Sequence, residues 1–192
     1  MRTFLALCTS VGTTRRIAEA MEREAVRLKE LGWKLAWVPP ANLHVTMKFL
    51  GDVQPEAIDA IAARLRRRCA DLPPVTLRAK GYGLFATDGA PKVLWVGVEG
   101  GKPLEAMQRS LESDMVDLGF AAADKPFHPH ITVARVVEPR ADVELAWSSD
   151  ADFGEDKIPE IVLYESRVYE SRAIRAGAEY VARARVPFSK PR

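Results

Sequence analysis

Two of the three histidines in the chain have threonine two residues later, in the pairs His44–Thr46 and His130–Thr132. An imidazole can accept or donate a proton near neutral pH, and a hydroxyl can donate a hydrogen bond to an anionic oxygen. Hydrolysis of a phosphodiester needs one group to deprotonate the attacking water and another to protonate the departing oxygen. We therefore interpret these four residues as candidates for acid–base chemistry on a phosphate diester, which requires no metal ion or other cofactor.

Strands must carry both pairs, because residues i and i+2 of a strand point to the same side of a sheet. In NLHVTMKFLG, strict alternation predicts one polar and one apolar face. The predicted polar face contains His44, Thr46 and Lys48, and the predicted core face contains Leu43, Val45, Met47 and Phe49. We assign no role in the chemistry to Lys48.

The second strand, HITVARV, repeats this arrangement with Ile131 and Val133 on its core face. Strict alternation would also send Arg135 to that face, where an unpaired charge is costly. Either the strand ends or bulges before Arg135, or the side chain leaves the core face to pair with an anion. His128 precedes Pro129 and has no threonine two residues later, so we predict a structural or rim position for it.

The remaining sequence predicts a single α+β domain of antiparallel strands, because irregular alternation of helices with short, turn-rich strands does not fit a doubly wound parallel sheet. Helical spacing of apolar residues predicts three helices, at about residues 13–31, 55–68 and 103–118. A looser polar segment is predicted for residues 150–156. Further strands are predicted at residues 3–8, 33–38, 75–86, 91–99, 161–169 and 179–186.

Composition limits the classes of ligand and the compartment. With 28 Lys and Arg against 26 Asp and Glu, the net charge of +2 gives no field for wrapping a long nucleic acid, although a short anionic ligand is compatible. Cys8 and Cys69 lie far apart and form no CxxC motif, which indicates a reduced, cytoplasmic protein. No apolar run approaches the roughly 18 residues that a membrane span needs, so we expect no membrane partner.

The two motifs NLHVTMKFLGDV and PFHPHITVAR resemble the paired HxT signatures of the 2H phosphoesterase superfamily, specifically its bacterial and archaeal RNA 2′,3′-cyclic phosphodiesterases, also called 2′-5′ RNA ligases. The resemblance covers essentially the whole chain, residues 1–192. It implies a single two-lobed domain with pseudo-twofold symmetry, in which antiparallel sheets line a central cleft and helices pack outside, with one HxT motif in each lobe.

The resemblance also implies hydrolysis of a terminal RNA 2′,3′-cyclic phosphate to a 2′-phosphomonoester without metal, with 2′-5′ ligation as a minor activity. His44 would be the general acid on the leaving 3′ oxygen, and His130 the general base that activates water. Thr46 and Thr132 would hold the phosphate oxygens, and Arg135 is a further candidate for phosphate binding. The expected partners are RNA ends or small nucleotides carrying the cyclic phosphate, with no obligate protein partner and a monomeric chain.

Two alternatives stay open at the level of sequence. The fold could bind a nucleotide or RNA end without turnover, although a pure binder would not need both HxT pairs. His44, His128 and His130 could form a metal site, although neither motif supplies a nearby Asp, Glu or Cys ligand. The aromatic residues that could stack on a base are Phe49, Tyr82, Phe85 and Trp95, although aromatic residues in strands usually belong to the core.

Overall fold

The computed structural model describes residues 1–138, 150–167 and 178–189. Within these ranges the chain forms three α-helices, a single 3₁₀ turn and nine strands. The helices are α1 (Val11–Glu30), α2 (Ala57–Cys69) and α3 (Gly101–Asp117), and the 3₁₀ turn is Pro40–Asn42. The strands are β1 (Arg2–Cys8), β2 (Lys34–Trp37), β3 (His44–Asp52), β4 (Val75–Thr87), β5 (Ala90–Glu99), β6 (His130–Glu138), β7 (Asp152–Ile158), β8 (Glu160–Arg167) and β9 (Glu179–Pro187).

All nine described strands belong to one antiparallel sheet, in the order β7-β4-β5-β6-β3-β1-β8-β9, with β2 paired to β6. The sheet consists of two halves that meet where β3 lies beside β6. A single residue pair, Val45 with Ile131, joins them there. The α+β class with antiparallel strands is therefore confirmed, and both histidine-bearing strands lie at the joint between the half-sheets.

Helices α1 and α3 each cross the joint, which compensates for the narrow contact between β3 and β6. Helix α1 follows β1 but contacts β7 in the other half-sheet, and α3 follows β5 but contacts β3. At the start of α1, the Ser10 amide and the Thr13 hydroxyl donate to the buried Asp156 carboxylate of β7, both at 2.8 Å. Because each of these helices is anchored on the half-sheet opposite the strand it follows, the two halves are held in one body.

The core lies between the sheet and the helices, and the apolar spacing in the sequence predicts much of it correctly. Apolar residues of α1 and α3 that recur at helical spacing are buried. They are Ile17, Met21, Leu28, Leu104, Met107, Leu111 and Met115. In the described part of the chain, no helix is both long enough and apolar enough to span a membrane.

The prediction of a loose polar segment at residues 150–156 is wrong, because most of it belongs to β7. Strand β7 pairs with β4 and buries Phe153 and Ile158 on its core side. The charged Asp156 is also buried, but its carboxylate accepts hydrogen bonds from the start of α1, so tertiary contacts offset a composition that disfavours strands. At the end of β8, residues 168 and 169 of the predicted strand lie outside the described residues.

Candidate active site

Alternation in β3 and β6 places both histidine–threonine pairs, His44–Thr46 and His130–Thr132, on one face of the sheet, here called the histidine face. Val45 and Ile131 are buried against the core, with 0% and 1% of their surface exposed. Their neighbours on either side, which include His44 and His130, are half-buried on the opposite face. Since Val45 and Ile131 are directly paired, the antiparallel register sets the two HxT motifs side by side.

Each motif strand bulges at the third residue after its histidine. The β1–β3 register skips Met47, and the β5–β6 register skips Val133. A bulge inserts one extra residue, so the side chains after it point to the face opposite the one that strict alternation predicts, which in β3 holds up to a second register shift at Leu50. The strict alternation predicted for β3 therefore fails after Met47: Lys48 is buried, and Phe49 is 65% exposed.

Buried Lys48 makes an internal ion pair and does not belong to the polar face. Its Nζ donates to Glu112 Oε1 of α3 at 2.7 Å and to the Ala121 carbonyl at 2.9 Å. The same carboxylate oxygen accepts the Ala123 amide at 2.7 Å. Lys48 thus fastens α3 and the segment after it to β3.

Arg135 is exposed, because the bulge at Val133 turns it away from the core face. Of the two explanations that the sequence allows, the bulge is therefore the correct one. Burial is the main cause of the lowered pKa of His44 and of His130, and the positive charge of Arg135 lowers both further. An anion bound between the histidines would be attracted by the same charge.

A backbone carbonyl two residues earlier sets the tautomer of each histidine. His44 Nδ1 lies 2.7 Å from the Asn42 carbonyl, and His130 Nδ1 lies 2.7 Å from the His128 carbonyl. A carbonyl oxygen can only accept, so Nδ1 carries the proton in both rings and Nε2 is the nitrogen available for proton transfer. In neutral His44, Nε2 accepts a hydrogen bond from the Thr46 hydroxyl at 3.0 Å.

Aromatic side chains fix the plane of each imidazole. His44 stacks on buried Phe4 with ring centres 4.9 Å apart, and Tyr180 of β9 meets it edge-on at 5.3 Å. His130 meets the ring of Phe85 edge-on at 4.8 Å. The two rings are thus held by different residues in the two half-sheets.

Burial lowers the pKa of both histidines below the ordinary value of about 6.5. For His44, the hydrogen bond to the Asn42 carbonyl opposes this effect, and the positive charges of His130 and Arg135 reinforce it. For His130, the bond to the His128 carbonyl opposes burial, and charges on His128 and Arg135 act with it. Both rings are therefore neutral at pH 7 until an anion binds nearby and favours protonation.

Sequence patterns missed several residues around the histidines. The equal spacing of Asn42 before His44 and of His128 before His130 could have indicated the two carbonyl acceptors. No local signal indicates Tyr180, which reaches His44 only through the pairing of β9 with β8 and of β8 with β1.

The structure separates the aromatic residues that the sequence offers for base stacking. Tyr82 packs edge-on against Phe153, with ring centres 5.5 Å apart, and belongs to the core cluster. Phe85 and Trp95 both contact the ring of His128, at 5.4 and 4.9 Å. Of the four, Phe49 is the one that is largely exposed, and its contact with Phe4 places it on the histidine face.

No alternative site in the described ranges matches the histidine face. Those ranges contain no group of three or more His, Cys, Asp or Glu side chains that could hold a metal ion, so the arrangement does not support a three-histidine metal site. A cavity of about 830 Å³ lies between α2 and α3, lined in part by Arg64, Arg68 and Asp114. The Asp114 carboxylate pairs with both arginines there, and Asp117 also pairs with Arg64, so two carboxylates offset the two positive charges.

Comparison with known proteins agrees with the family that the motifs indicate. The profile of the 2′-5′ RNA ligase superfamily matches residues 16–167. An RNA 2′,3′-cyclic phosphodiesterase of Thermotoga maritima is 35% identical over 136 residues, which cover 71% of this chain and 70% of that protein. One from Aquifex aeolicus is 31% identical over 172 residues, 86% and 88% of the two chains. The chain belongs to the 2′-5′ RNA ligase superfamily, whose members are 2H phosphoesterases.

Solved structures agree on the fold. The protein TT0787 of Thermus thermophilus superposes with a TM-score of 0.80 at 25% identity and covers 99% of each chain. Escherichia coli LigT in complex with 3′-AMP superposes with a TM-score of 0.73 at 22% identity and covers 98% of each chain. At this identity, the likeness to LigT concerns the fold alone.

Proposed function

We propose that this protein hydrolyses the 2′,3′-cyclic phosphate at RNA ends to a 2′-phosphomonoester by acid–base catalysis with His44 and His130. The observation that carries the proposal is the pairing of Val45 with Ile131, which sets the two HxT motifs side by side on one face. The tautomers support it, since both rings have Nδ1 bound to a carbonyl and Nε2 available. Relatives named RNA 2′,3′-cyclic phosphodiesterase, at 31–35% identity, give the substrate class.

In this mechanism the water oxygen attacks phosphorus while His130 Nε2 takes its proton. The bond from phosphorus to the 3′ oxygen breaks, and His44 Nε2, protonated beforehand, donates a proton to that oxygen. The phosphate stays on the 2′ oxygen and the 3′ hydroxyl is restored. The assignment of acid to His44 and base to His130 follows the family resemblance. Whichever ring is the acid, the tautomers leave Nε2 as the nitrogen that exchanges the proton.

Thr46, Thr132 and Arg135 are proposed to hold the phosphate. The Thr46 hydroxyl already lies 3.0 Å from His44 Nε2, so it stands beside the atom that donates the proton. In the pairing of β5 with β6, Thr132 lies opposite Trp95, and it is on the same face of β6 as His130. The permanent charge of Arg135 offsets the negative charge that develops on the oxygens in the transition state.

A short RNA ending in a 2′,3′-cyclic phosphate, incubated in EDTA, tests the proposal. We expect turnover to a product whose phosphorus signal and chromatographic mobility match a 2′-phosphate standard. A 3′-phosphate product would contradict the bond assigned to break, and loss of activity in EDTA would contradict the metal-free mechanism. Binding of the RNA without hydrolysis would favour the alternative of a nucleotide or RNA-end binding module on the same fold.

The pH dependence follows from the lowered pKa values of the two histidines. The mechanism needs one ring protonated and one neutral, so kcat/KM should be bell-shaped and should fall as pH rises above the lowered pKa of the acid. We expect its optimum below about pH 6.5, the ordinary histidine pKa. Bound phosphate favours the imidazolium, so the kcat profile should lie at higher pH than the kcat/KM profile; a flat kcat/KM profile from pH 5 to 8 would contradict the pairing.

The domain organisation, the oligomeric state and the cellular compartment are inferred on the same basis. We infer that the two half-sheets act as two lobes of one domain, with the substrate between them, and that the chain works as a monomer because both HxT motifs come from one chain. Free Cys8 and Cys69 fit a reducing cytoplasm. The substrates are RNA ends or small nucleotides with the cyclic phosphate.

A further inference from the structure

Both histidines depend on a peptide carbonyl two residues earlier, so whatever orients that peptide also orients the ring. The two Nδ1–carbonyl distances are equal, at 2.7 Å, although the half-sheets differ in sequence. The acceptors belong to Asn42 and His128. Rotation of either peptide would break the hydrogen bond between Nδ1 and the carbonyl, and the imidazole could then turn Nε2 away from the position proposed for the substrate.

The Asn42 side chain fixes the first of these peptides. Asn42 ends the 3₁₀ turn before β3, and its Nδ2 donates to the Ala178 carbonyl at 2.7 Å, across 136 positions of sequence. Ala178 directly precedes β9, which carries Tyr180 edge-on to His44. One residue therefore presents its carbonyl to His44 and ties its own backbone to the strand that supplies the packing ring.

Ring packing fixes the second peptide. The His128 ring meets Trp95 at 4.9 Å and Phe85 at 5.4 Å, both nearly edge-on. Trp95 can lie there because Gly83 on β4 has no side chain: a Cβ at that position would lie 2.1 Å from the indole ring. The glycine thus leaves room for the tryptophan against which His128 rests.

We propose that Asn42 and His128 are positioning residues for His44 and His130 respectively, each acting through its own carbonyl. Asn42 holds its peptide by an amide hydrogen bond, and His128 holds its peptide by the packing of its ring. The catalytic meaning of this inference rests on the proposed function. In this scheme the imidazole of His128 exchanges no proton with substrate and binds no metal, so a phenyl ring can replace it.

Four variants test the inference: Asn42→Ala, His128→Ala, His128→Phe and Gly83→Ala. Misplacing a catalytic group by about 1 Å can cost about 100-fold in rate. We expect Asn42→Ala and His128→Ala to lower kcat about 10- to 100-fold, with KM changed less than about threefold. Gly83→Ala should act like His128→Ala because it displaces Trp95, and His128→Phe should restore kcat to within about threefold of the wild type.

Histidine nitrogen NMR of the substrate-free protein provides a readout that does not depend on turnover. The wild type should show the Nδ1–H tautomer at His44 and His130. Asn42→Ala should alter the tautomer signals of His44 alone, and His128→Ala those of His130 alone. This measurement tests the positioning roles even if the wild type fails to hydrolyse RNA. Failure of the positioning proposal can therefore be distinguished from failure of the proposed function.

Three results would overturn the inference. If His128→Phe loses as much activity as His128→Ala, the imidazole itself acts on substrate. If Asn42→Ala keeps both the wild-type kcat and the His44 tautomer, its amide bond to Ala178 does not position the ring. Thermal unfolding of all four variants serves as the control, and a folded variant that loses rate without the expected NMR change also counts against positioning.

Discussion

Replacing His44 or His130 with alanine should lower kcat by about 100- to 10,000-fold while leaving the fold intact. In the proposed mechanism each ring supplies one proton transfer, and the variant lacks the imidazole that performs it. Both side chains are half-buried, whereas Val45 and Ile131 fill the core at the same level, so loss of the imidazole should cost little stability. Single-turnover assays on RNA with a cyclic phosphate measure the effect.

Three further variants test whether the loss of activity is specific to the two histidines. The double variant should lose much less than the product of the single losses, because the proposed mechanism makes the two histidines act as a unit. Thr46→Val and Thr132→Val should lose less than either histidine variant, since in the proposed mechanism they remove a phosphate contact and not a proton transfer. Near-wild-type turnover of either single histidine variant, at an unchanged unfolding midpoint, would contradict the two-histidine mechanism.

The Glu112→Ala variant should lower the free energy of unfolding by about 3–5 kcal/mol, because it leaves the buried Lys48 ammonium without its counter-charge. The Lys48 side chain is 3% exposed and Glu112 is 21% exposed. The Ala121 carbonyl would remain as an acceptor for Lys48 but carries no full charge. Chemical denaturation, monitored in both fluorescence and circular dichroism, measures the change.

An exposed ion pair provides the matched control. Lys34 and Glu138 form a similar contact at 2.8 Å with 65% and 62% of their side chains exposed, so Glu138→Ala should cost at most about 1 kcal/mol. Replacing both buried partners, as Lys48→Met with Glu112→Leu, should restore most of the lost stability, because neither charge is then buried alone. Equal losses in Glu112→Ala and Glu138→Ala would show that the buried pair is not the cause.

The sequence predicts the α+β class, three helices and most strands, because burial follows the local period of apolar residues. It fails at β7, where Asp156 is buried. The hydroxyls that donate to this carboxylate in the core belong to the start of α1, 146 and 143 positions earlier in the chain. The composition of the segment around Asp156 gives no indication of these hydrogen-bond partners.

The bulges in the two motif strands are a second feature that the sequence does not predict. Alternation predicts His44, Val45 and Thr46 correctly, because these residues precede the bulge. Met47 is skipped in the register with β1, and this reverses the predicted faces of Lys48 and Phe49. A bulge is a property of two paired strands, so one strand read alone cannot indicate it.

By itself, the sequence determined the residue types that can do the chemistry and the strand spacing that puts each histidine beside its threonine. A spacing of two along a strand is a local, backbone-encoded property, so it needs no knowledge of the fold. Only the tertiary structure decided that the two pairs meet through Val45 and Ile131, that Arg135 leaves the core, and that carbonyls present Nε2 of both rings. These features depend on register and on contacts between distant segments, which exist only when the chain is folded.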